Sequence, residues 1–331
     1  MSSHLHPISH LGSSYTLMAQ RILGGIYILS IEPVNAGTDF KTEYGITHII
    51  SVVPGPLPLY CSSRYKHLQI EVTDEETSNI IEQFPRATDF IESALFPPGT
   101  DPADKKHHGS VLVHCAQGKS RSVAIVIAFL MKKYNLSYAQ ALHAVTRKIA
   151  DAQPNPGFTS QLELYKKMGC TVDESAHEYR EFLVSNSLKL DPSGRQLQQL
   201  GLFKSKKTQG PAEFRLRCKK CRQTLATLTE IEEHDIPEED SRQAKFIKRV
   251  PNSRRIVSLE DAAKSCSHYF VGEPVEWMAA ELGKQELEGK FACPKCEAKV
   301  GGYSWKGSRC SCGKWMIPAL HLQLAKVDAM K

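Results

Sequence analysis

The chain lacks any apolar run of 18 residues within its 331-residue length, so no segment is expected to cross a bilayer as a helix. Nor does Met1-Ser2-Ser3-His4-Leu5-His6-Pro7 show the basic-then-apolar order or the cleavage site of a secretory signal. Cysteine is scarce early on, with only Cys61, Cys115 and Cys170 among the first 170 residues. A disulfide framework is therefore not expected there. The chain is expected to be soluble and intracellular. Its length suits two domains, and 41% hydrophobic residues supply material for two cores. Residues 1–19 are expected to form a flexible tail whose histidines are solvated.

What is present concentrates at Val111-Leu112-Val113-His114-Cys115-Ala116-Gln117-Gly118-Lys119-Ser120-Arg121-Ser122, followed by Val123-Ala124-Ile125-Val126-Ile127-Ala128-Phe129-Leu130. The first apolar run predicts a buried strand and the second a buried helix. The small residues between them let backbone amides converge on an anion at the helix N-terminus. A cysteine at the bottom of that cup and an arginine on its rim are suited to taking a phosphoryl group from an ester. Cys115 is the candidate nucleophile, because a cysteine attacks as thiolate and a helix N-terminus with nearby cations favours that form. Arg121 offers a planar fork for two phosphate oxygens, which a lysine could not match. The amides of Ala116, Gln117, Gly118, Lys119, Ser120 and Arg121 are expected to bind the remaining oxygens. His114 is expected to order the loop, and the Ser122 hydroxyl to stabilise the thiolate as it leaves. The plainer alternative, a structural cysteine beside an unrelated arginine, does not account for the complete strand, loop and helix. A nucleotide-binding loop is excluded because Val113 stands where that motif needs glycine. Sulfurtransferase loops close with a shorter cysteine-to-arginine spacing.

Such chemistry also needs an acid for the leaving oxygen, carried by a separate loop. The stretch Tyr65-Lys66-His67-Leu68-Gln69-Ile70-Glu71-Val72-Thr73-Asp74-Glu75-Glu76 ends a short strand in an acidic turn before a helical segment. Asp74 is the candidate, with Glu75 its rival; a helix cap is the bland alternative.

These segments resemble the His-Cys-x5-Arg signature of protein tyrosine phosphatases. From about Gln20 to Gly169 the chain resembles a dual-specificity phosphatase domain. Arg21–Ser30 resembles the family's opening strand and Tyr44–Val52 its next one. Asn155-Pro156-Gly157-Phe158-Thr159-Ser160-Gln161-Leu162 matches the late element that buttresses the phosphate loop. The resemblance implies an α/β fold, a tyrosine phosphatase-like sheet flanked by helices over residues 20–170. It also implies a shallow cleft open to phosphotyrosine and phosphoserine/threonine, and no cofactor for catalysis. Lys119 is a departure also met in phosphoinositide phosphatases, which keeps that alternative open.

Beyond the first domain, residues 171–210 read as a helix and then a polar linker, broken at Asp191-Pro192-Ser193-Gly194. Residues 211–331 carry Cys218/Cys221 and Cys293/Cys296 at Cys-x2-Cys spacing, Cys310/Cys312, and Cys266 with His268. These eight ligands suffice for two tetrahedral zinc sites. The compact grouping pairs Cys293/Cys296 with Cys310/Cys312, leaving Cys218, Cys221, Cys266 and His268; an interleaved grouping uses the same residues, and His268 could instead be merely packed. Charge is segregated here. Residues 204–222 hold eight Lys/Arg against one acid, 230–240 seven Asp/Glu and no Lys/Arg, and 242–255 six Lys/Arg and no acid. The region 229–256 is expected as an exposed, partly disordered insert. Zinc knuckles beside basic blocks, with a net charge of +6, suit a ribonucleoprotein partner.

Cys266-Ser-His-Tyr-Phe-Val-Gly-Glu-Pro-Val-Glu-Trp-Met, Gly302-Tyr-Ser-Trp305 and Cys310-Ser-Cys-Gly-Lys-Trp315 resemble the small, mainly β zinc-binding domain of dual-specificity phosphatase 12 and its fungal YVH-type counterparts. That resemblance implies binding of large-subunit ribosomal precursor particles and a part in their maturation, independent of phosphatase activity. It further implies a monomer, without a membrane partner, in cytoplasm and nucleus. An enzyme acting on phosphoproteins and a mainly non-catalytic assembly factor therefore stand as two expectations of different class.

Overall fold

The computed structural model describes residues 18–97, 109–200, 215–238, 241–243 and 266–330. Residues 1–17 of the expected 1–19 tail, residues 201–210 of the expected linker, and residues 239–240 and 244–256 of the charged insert lie outside the described residues. The chain divides into two compact units, Met1–Tyr179 and Arg180–Lys331.

In the first unit, five strands make one sheet: β1 (Gln20–Leu23), β2 (Ile26–Leu29), β3 (His48–Ser51), β4 (Lys66–Gln69) and β5 (Val111–His114), in the order β1-β2-β5-β3-β4. β2, β5, β3 and β4 run parallel, and β1 adds an antiparallel edge. The single opening strand expected over Arg21–Ser30 is thus a hairpin turning at Gly24-Gly25. Central parallel strands are covered on both faces, and β5 accordingly shows an unbroken buried run with no polar alternation. Short helices α1 (Ile31–Asn35), α2 (Phe40–Tyr44) and α3 (Tyr60–Arg64) link the early strands. Four longer ones follow: α4 (Phe84–Leu95), α5 (Arg121–Tyr134), α6 (Tyr138–Thr146) and α7 (Pro156–Lys167). α5 is buried all round from Arg121 to Met131, as a helix apolar on every face must be. Asn135, left-handed at φ 53°, ends it, and Ser137 with Gln140 caps α6 reciprocally. The result holds the end of β5 and the start of α5 in one rigid corner, where the cysteine and arginine sit.

The boundary between units falls within α8 (His177–Leu190). The stretch expected as linker contains α9 (Arg195–Gln199), whose Leu197 is fully buried in the second unit's core. A polar-looking sequence hid one apolar anchor. The second unit is mainly β, and its described residues include a further short helix, α10 (Ala279–Leu282). β8 (Ile231–Glu232), β9 (His268–Val271), β10 (Glu288–Ala292), β11 (Lys299–Ser304) and β14 (Ala319–Gln323) form an antiparallel sheet ordered β10-β11-β14-β9-β8. β6 (Arg215–Cys218) and β7 (Thr224–Thr227) join β15 (Val327–Met330) in a second sheet, and β12 (Ser308–Arg309) pairs with β13 (Trp315–Met316). Phe291, Met278, Leu322 and Leu216 are fully buried at its centre. Each such side chain contributes about 1.5–3 kcal/mol.

Candidate active site and metal-binding clusters

Cys115 follows β5 directly and is buried, at 1% exposure. Its Sγ accepts hydrogen bonds from the Gly118 amide at 3.2 Å and the Ser122 hydroxyl at 3.3 Å. Two donors on one sulfur suit a thiolate. Gly118 has φ +74°, and a Cβ there would meet the Leu29 carbonyl carbon at 2.9 Å, so the turn admits only glycine. Arg121 opens α5 with its guanidinium nearly buried. Nη1 donates to the Val72 carbonyl at 3.2 Å, while Nε has no hydrogen-bond partner among the described residues. A buried donor on the wall of a cup is what a phosphate oxygen satisfies. The cup is a cavity of about 370 Å³ lined by Asp74, Cys115, Ala116, Gln117, Lys119, Ser120, Arg121, Asp151 and Gln153.

The structure brings the expected acid into this cavity. Asp74 Oδ1 accepts from Ser120 Oγ at 2.6 Å and Asn155 Nδ2 at 2.8 Å, and Oδ2 lies 3.8 Å from Arg121 Nε. The late Asn-x-Gly element explains how a loop 41 residues away in sequence is held there (Asp74 to Cys115). Gln161 Oε1 accepts the amides of Ile80 and Ile81 at 2.9 and 3.0 Å, and its Nε2 donates to the Ser78 carbonyl at 2.9 Å. Gly157 lets α7 approach: a Cβ would stand 1.9 Å from the Glu76 carbonyl oxygen. Asn155 caps α7 and the acid loop at once, accepting the Phe158 amide at 2.9 Å. Glu75, the rival acid, is absent from the cavity lining. Asp151 and Gln153 were not anticipated. They lie in a turn after α6 that carries no motif, and only the fold brings them to the rim.

His114 is fully buried and hydrogen-bonds Ser51 Oγ through Nε2 at 2.6 Å; the same hydroxyl meets His67 Nε2 at 2.9 Å. It braces the floor of the cup from behind. Burial, and then the nearby His67, hold its pKa down to about 4. An unfolded histidine titrates near 6.5, so between about pH 6.5 and 4 the unfolded chain binds the extra proton. The stability that goes with the neutral ring is complete above that window and is lost as pH falls through it, by roughly 3 kcal/mol for full protonation. The thermal midpoint should therefore decline between pH 6.5 and 4, and His114→Gln should flatten the decline. A slope unchanged in the variant would show that His114 does not titrate there.

The second unit gathers its cysteines in two clusters: Cys218, Cys221, Cys293 and Cys296; and His234, Cys266, Cys310 and Cys312, the ligand atoms of each lying within 4.8 Å of one another. The compact grouping of Cys293/Cys296 with Cys310/Cys312 does not occur; the clusters interleave along the chain. The reason is turn geometry. Cys218 and Cys293 each begin a hairpin knuckle in which the cysteine amide donates to a carbonyl five residues on and its carbonyl accepts an amide four residues on. Arg222 and Glu297, at φ 64° and 57°, close the two knuckles alike, and matching knuckles face each other. Within the first cluster Sγ atoms lie 3.8 Å (Cys218 to Cys296) and 3.5 Å (Cys221 to Cys293) apart. Sulfurs about 2.3 Å from one tetrahedral ion stand about 3.8 Å apart, so these thiols fit such an ion. All ten cysteines are free of disulfides.

His234 takes the place expected for His268. Its Nε2 lies 3.5 Å from Cys266 Sγ and 3.3 Å from Cys312 Sγ. β8 pairs with β9 and so carries Ile231 and Glu232, at the start of the stretch expected as an exposed, partly disordered insert, into a sheet. His268 instead packs edge-on against His321, 4.4 Å between ring centroids, and its Nδ1 meets Ser267 Oγ at 2.8 Å. One signal was available: His234 is the one histidine between Cys221 and Cys266. Burial, then the neighbouring Cys310 and Cys312, push Cys266 up to about 12. A divalent cation among these thiols reverses that, since a coordinating thiol loses its proton.

Residues 26–168 match the family described as dual specificity phosphatase, catalytic domain. Over 93% of this chain and 90% of the relative, the sequence is 43% identical to tyrosine-protein phosphatase YVH1 of Saccharomyces cerevisiae. It is 32% identical to tyrosine-protein phosphatase yvh1 of Schizosaccharomyces pombe, over 80% of this chain and 72% of the relative. It is 33% identical to human dual specificity protein phosphatase 12, over 89% and 84% respectively. The chain belongs to the cysteine-based dual-specificity protein phosphatases of the YVH1 and dual specificity protein phosphatase 12 type.

Proposed function

We propose that this phosphatase hydrolyses phosphotyrosine and phosphoserine/threonine in proteins through a phosphocysteine on Cys115. We further propose that its second unit is a two-zinc module that docks on precursor particles of the large ribosomal subunit. The observation that carries the catalytic reading is the meeting of Cys115 Sγ, the Arg121 fork and the Asp74 carboxyl in one small cavity. The Cys115 thiolate attacks phosphorus, the bond from phosphorus to the ester oxygen breaks, and protonated Asp74 gives its proton to that oxygen. Water then attacks the phosphocysteine while the Asp74 carboxylate takes its proton. The sulfur–phosphorus bond breaks, and the thiolate departs into the hydrogen bonds of Gly118 and Ser122. Arg121 and the loop amides of residues 116–121 hold the phosphoryl oxygens throughout. Ser120 and Asn155 fix Asp74 over the leaving group. The phosphoinositide alternative rests on Lys119, whose ammonium is paired with Asp151 at 2.8 Å rather than left for a second phosphate.

Zinc suits both clusters: thiolate-rich, four-ligand, closed sites hold it structurally, outside the chemistry. Cys218, Cys221, Cys293 and Cys296 would hold one ion, and His234, Cys266, Cys310 and Cys312 the other. The basic residues around Cys218 and Cys221, together with the resemblance of the whole unit to its zinc-binding relatives, support a ribonucleoprotein partner, a monomeric protein, and work in cytoplasm and nucleus. Bead-bound protein should capture large-subunit precursors at low salt and lose them steeply as salt rises, through counterion release. Replacing Lys219, Lys220 and Arg222 together should weaken capture without loss of zinc, while Cys115→Ser should capture as well as the unaltered protein. Salt-independent capture, or a Cys115→Ser protein that fails to bind, would contradict the docking reading.

A further inference from the structure

The mouth of the catalytic cavity holds two cations, Lys119 and Arg121, and two carboxylates, Asp74 and Asp151. Arg121 and Asp74 serve the transferred phosphoryl group. The other two face each other: Lys119 Nζ lies 2.8 Å from Asp151 Oδ2. The backbone holds them in register, since the Gln153 amide donates to the Lys119 carbonyl at 2.8 Å and ties the 151–153 turn to the phosphate loop. Lys119 sits between Gly118, whose turn admits no side chain, and Ser120, whose hydroxyl is fixed on Asp74. Its side chain therefore leaves the loop at a set place on the rim, and Asp151 meets it there.

We propose that Asp151 is a specificity-determining residue of this phosphatase: by occupying Lys119 it withholds a cation from any second anionic group beside the phosphoester, and so favours singly phosphorylated, locally neutral peptides. This rests on the phosphoprotein reading above and deepens it. A phosphate or carboxylate next to the scissile group meets the Asp151 carboxylate first. To reach Lys119 it must displace that carboxylate. Without Asp151, the same anion meets an unopposed ammonium at the rim of the cup. Both side chains are about half exposed, at 48% and 63%, so the effect is one of a solvated charge pair.

The test compares kcat/KM for two peptides of one sequence, one with phosphotyrosine alone and one with an added phosphothreonine two residues away. Asp151→Asn should raise the ratio of doubly to singly phosphorylated peptide about fivefold, the size an exposed charge pair carries. The gain should shrink at about 1 M salt, where the screening length falls to about 3 Å. Asp151→Asn combined with Lys119→Met should abolish the gain, which a general loss of negative charge would not explain; Asp173→Asn, an exposed acid of the same unit outside the cavity lining, should leave the ratio unchanged. An unchanged ratio in Asp151→Asn, or a gain that survives removal of Lys119, would overturn the proposal. If the unaltered protein hydrolyses neither peptide nor an aryl phosphate, it is the catalytic reading that fails instead.

Discussion

Cys115→Ser should abolish hydrolysis of a small aryl phosphate, and Asp74→Asn should slow it by roughly 10²–10⁴-fold, the range of a positioned general acid. The two losses differ in kind. Serine keeps the volume of the side chain and the hydrogen bonds from Gly118 and Ser122, so the fold survives while the nucleophile is lost. Asparagine keeps the shape of Asp74 between Ser120 and Asn155 but has no proton to give. The Asp74→Asn deficit should be largest for esters with poor leaving groups, such as a serine phosphate, and smallest for nitrophenyl phosphate, whose leaving oxygen needs little protonation. Steady-state rates on the two substrates check this. Full turnover by Cys115→Ser would remove the nucleophile, and equal rates for Asp74→Asn and the unaltered protein on both esters would remove the acid.

The second large effect concerns metal. Native mass spectrometry of the full chain should find two zinc ions, and a strong chelator should unfold the second unit. Structural zinc in small domains contributes about 10–16 kcal/mol. The core around Phe291 and Leu322 shares its walls with Cys218 and Cys293, so loss of the first ion opens it from one side. His234→Ala should lose one zinc and His268→Ala should keep both, because His234 groups with Cys266, Cys310 and Cys312 with all ligand atoms within 4.8 Å, whereas His268 reaches the thiol of Cys310 without joining that four-residue group. The reverse pattern would restore His268 as ligand, and a metal-free, folded protein would end the zinc reading.

The catalytic corner was legible because two of its signals are local. A continuous apolar run on each side of Cys115-x5-Arg121 predicts β5 and α5 without knowledge of the rest of the chain. Asp74 was legible because an acidic turn after a short strand leaves few candidates. What held Asp74 in place was less so: the Asn155 and Gln161 contacts join segments some 80 residues apart, and only the family resemblance pointed at that element. The metal clusters show the opposite case. Their cysteines declare themselves by spacing, yet their grouping is decided by which hairpin turns face each other, a property of sheet pairing. His234 was hidden for the same reason, since β8 must pair with β9 before a histidine in an acidic run reaches Cys266. The opening hairpin and the buried Leu197 of α9 are smaller instances, each settled by tertiary packing that short sequence windows do not report.

The most direct measurement is to quench the protein in acid during turnover and find the phosphate by peptide mass spectrometry, using Ser122→Ala to slow breakdown of the intermediate. The account predicts one phosphoryl group on the peptide containing Cys115, on sulfur, absent in Cys115→Ser. Turnover with no phosphate on Cys115, or with phosphate on another residue, would contradict it.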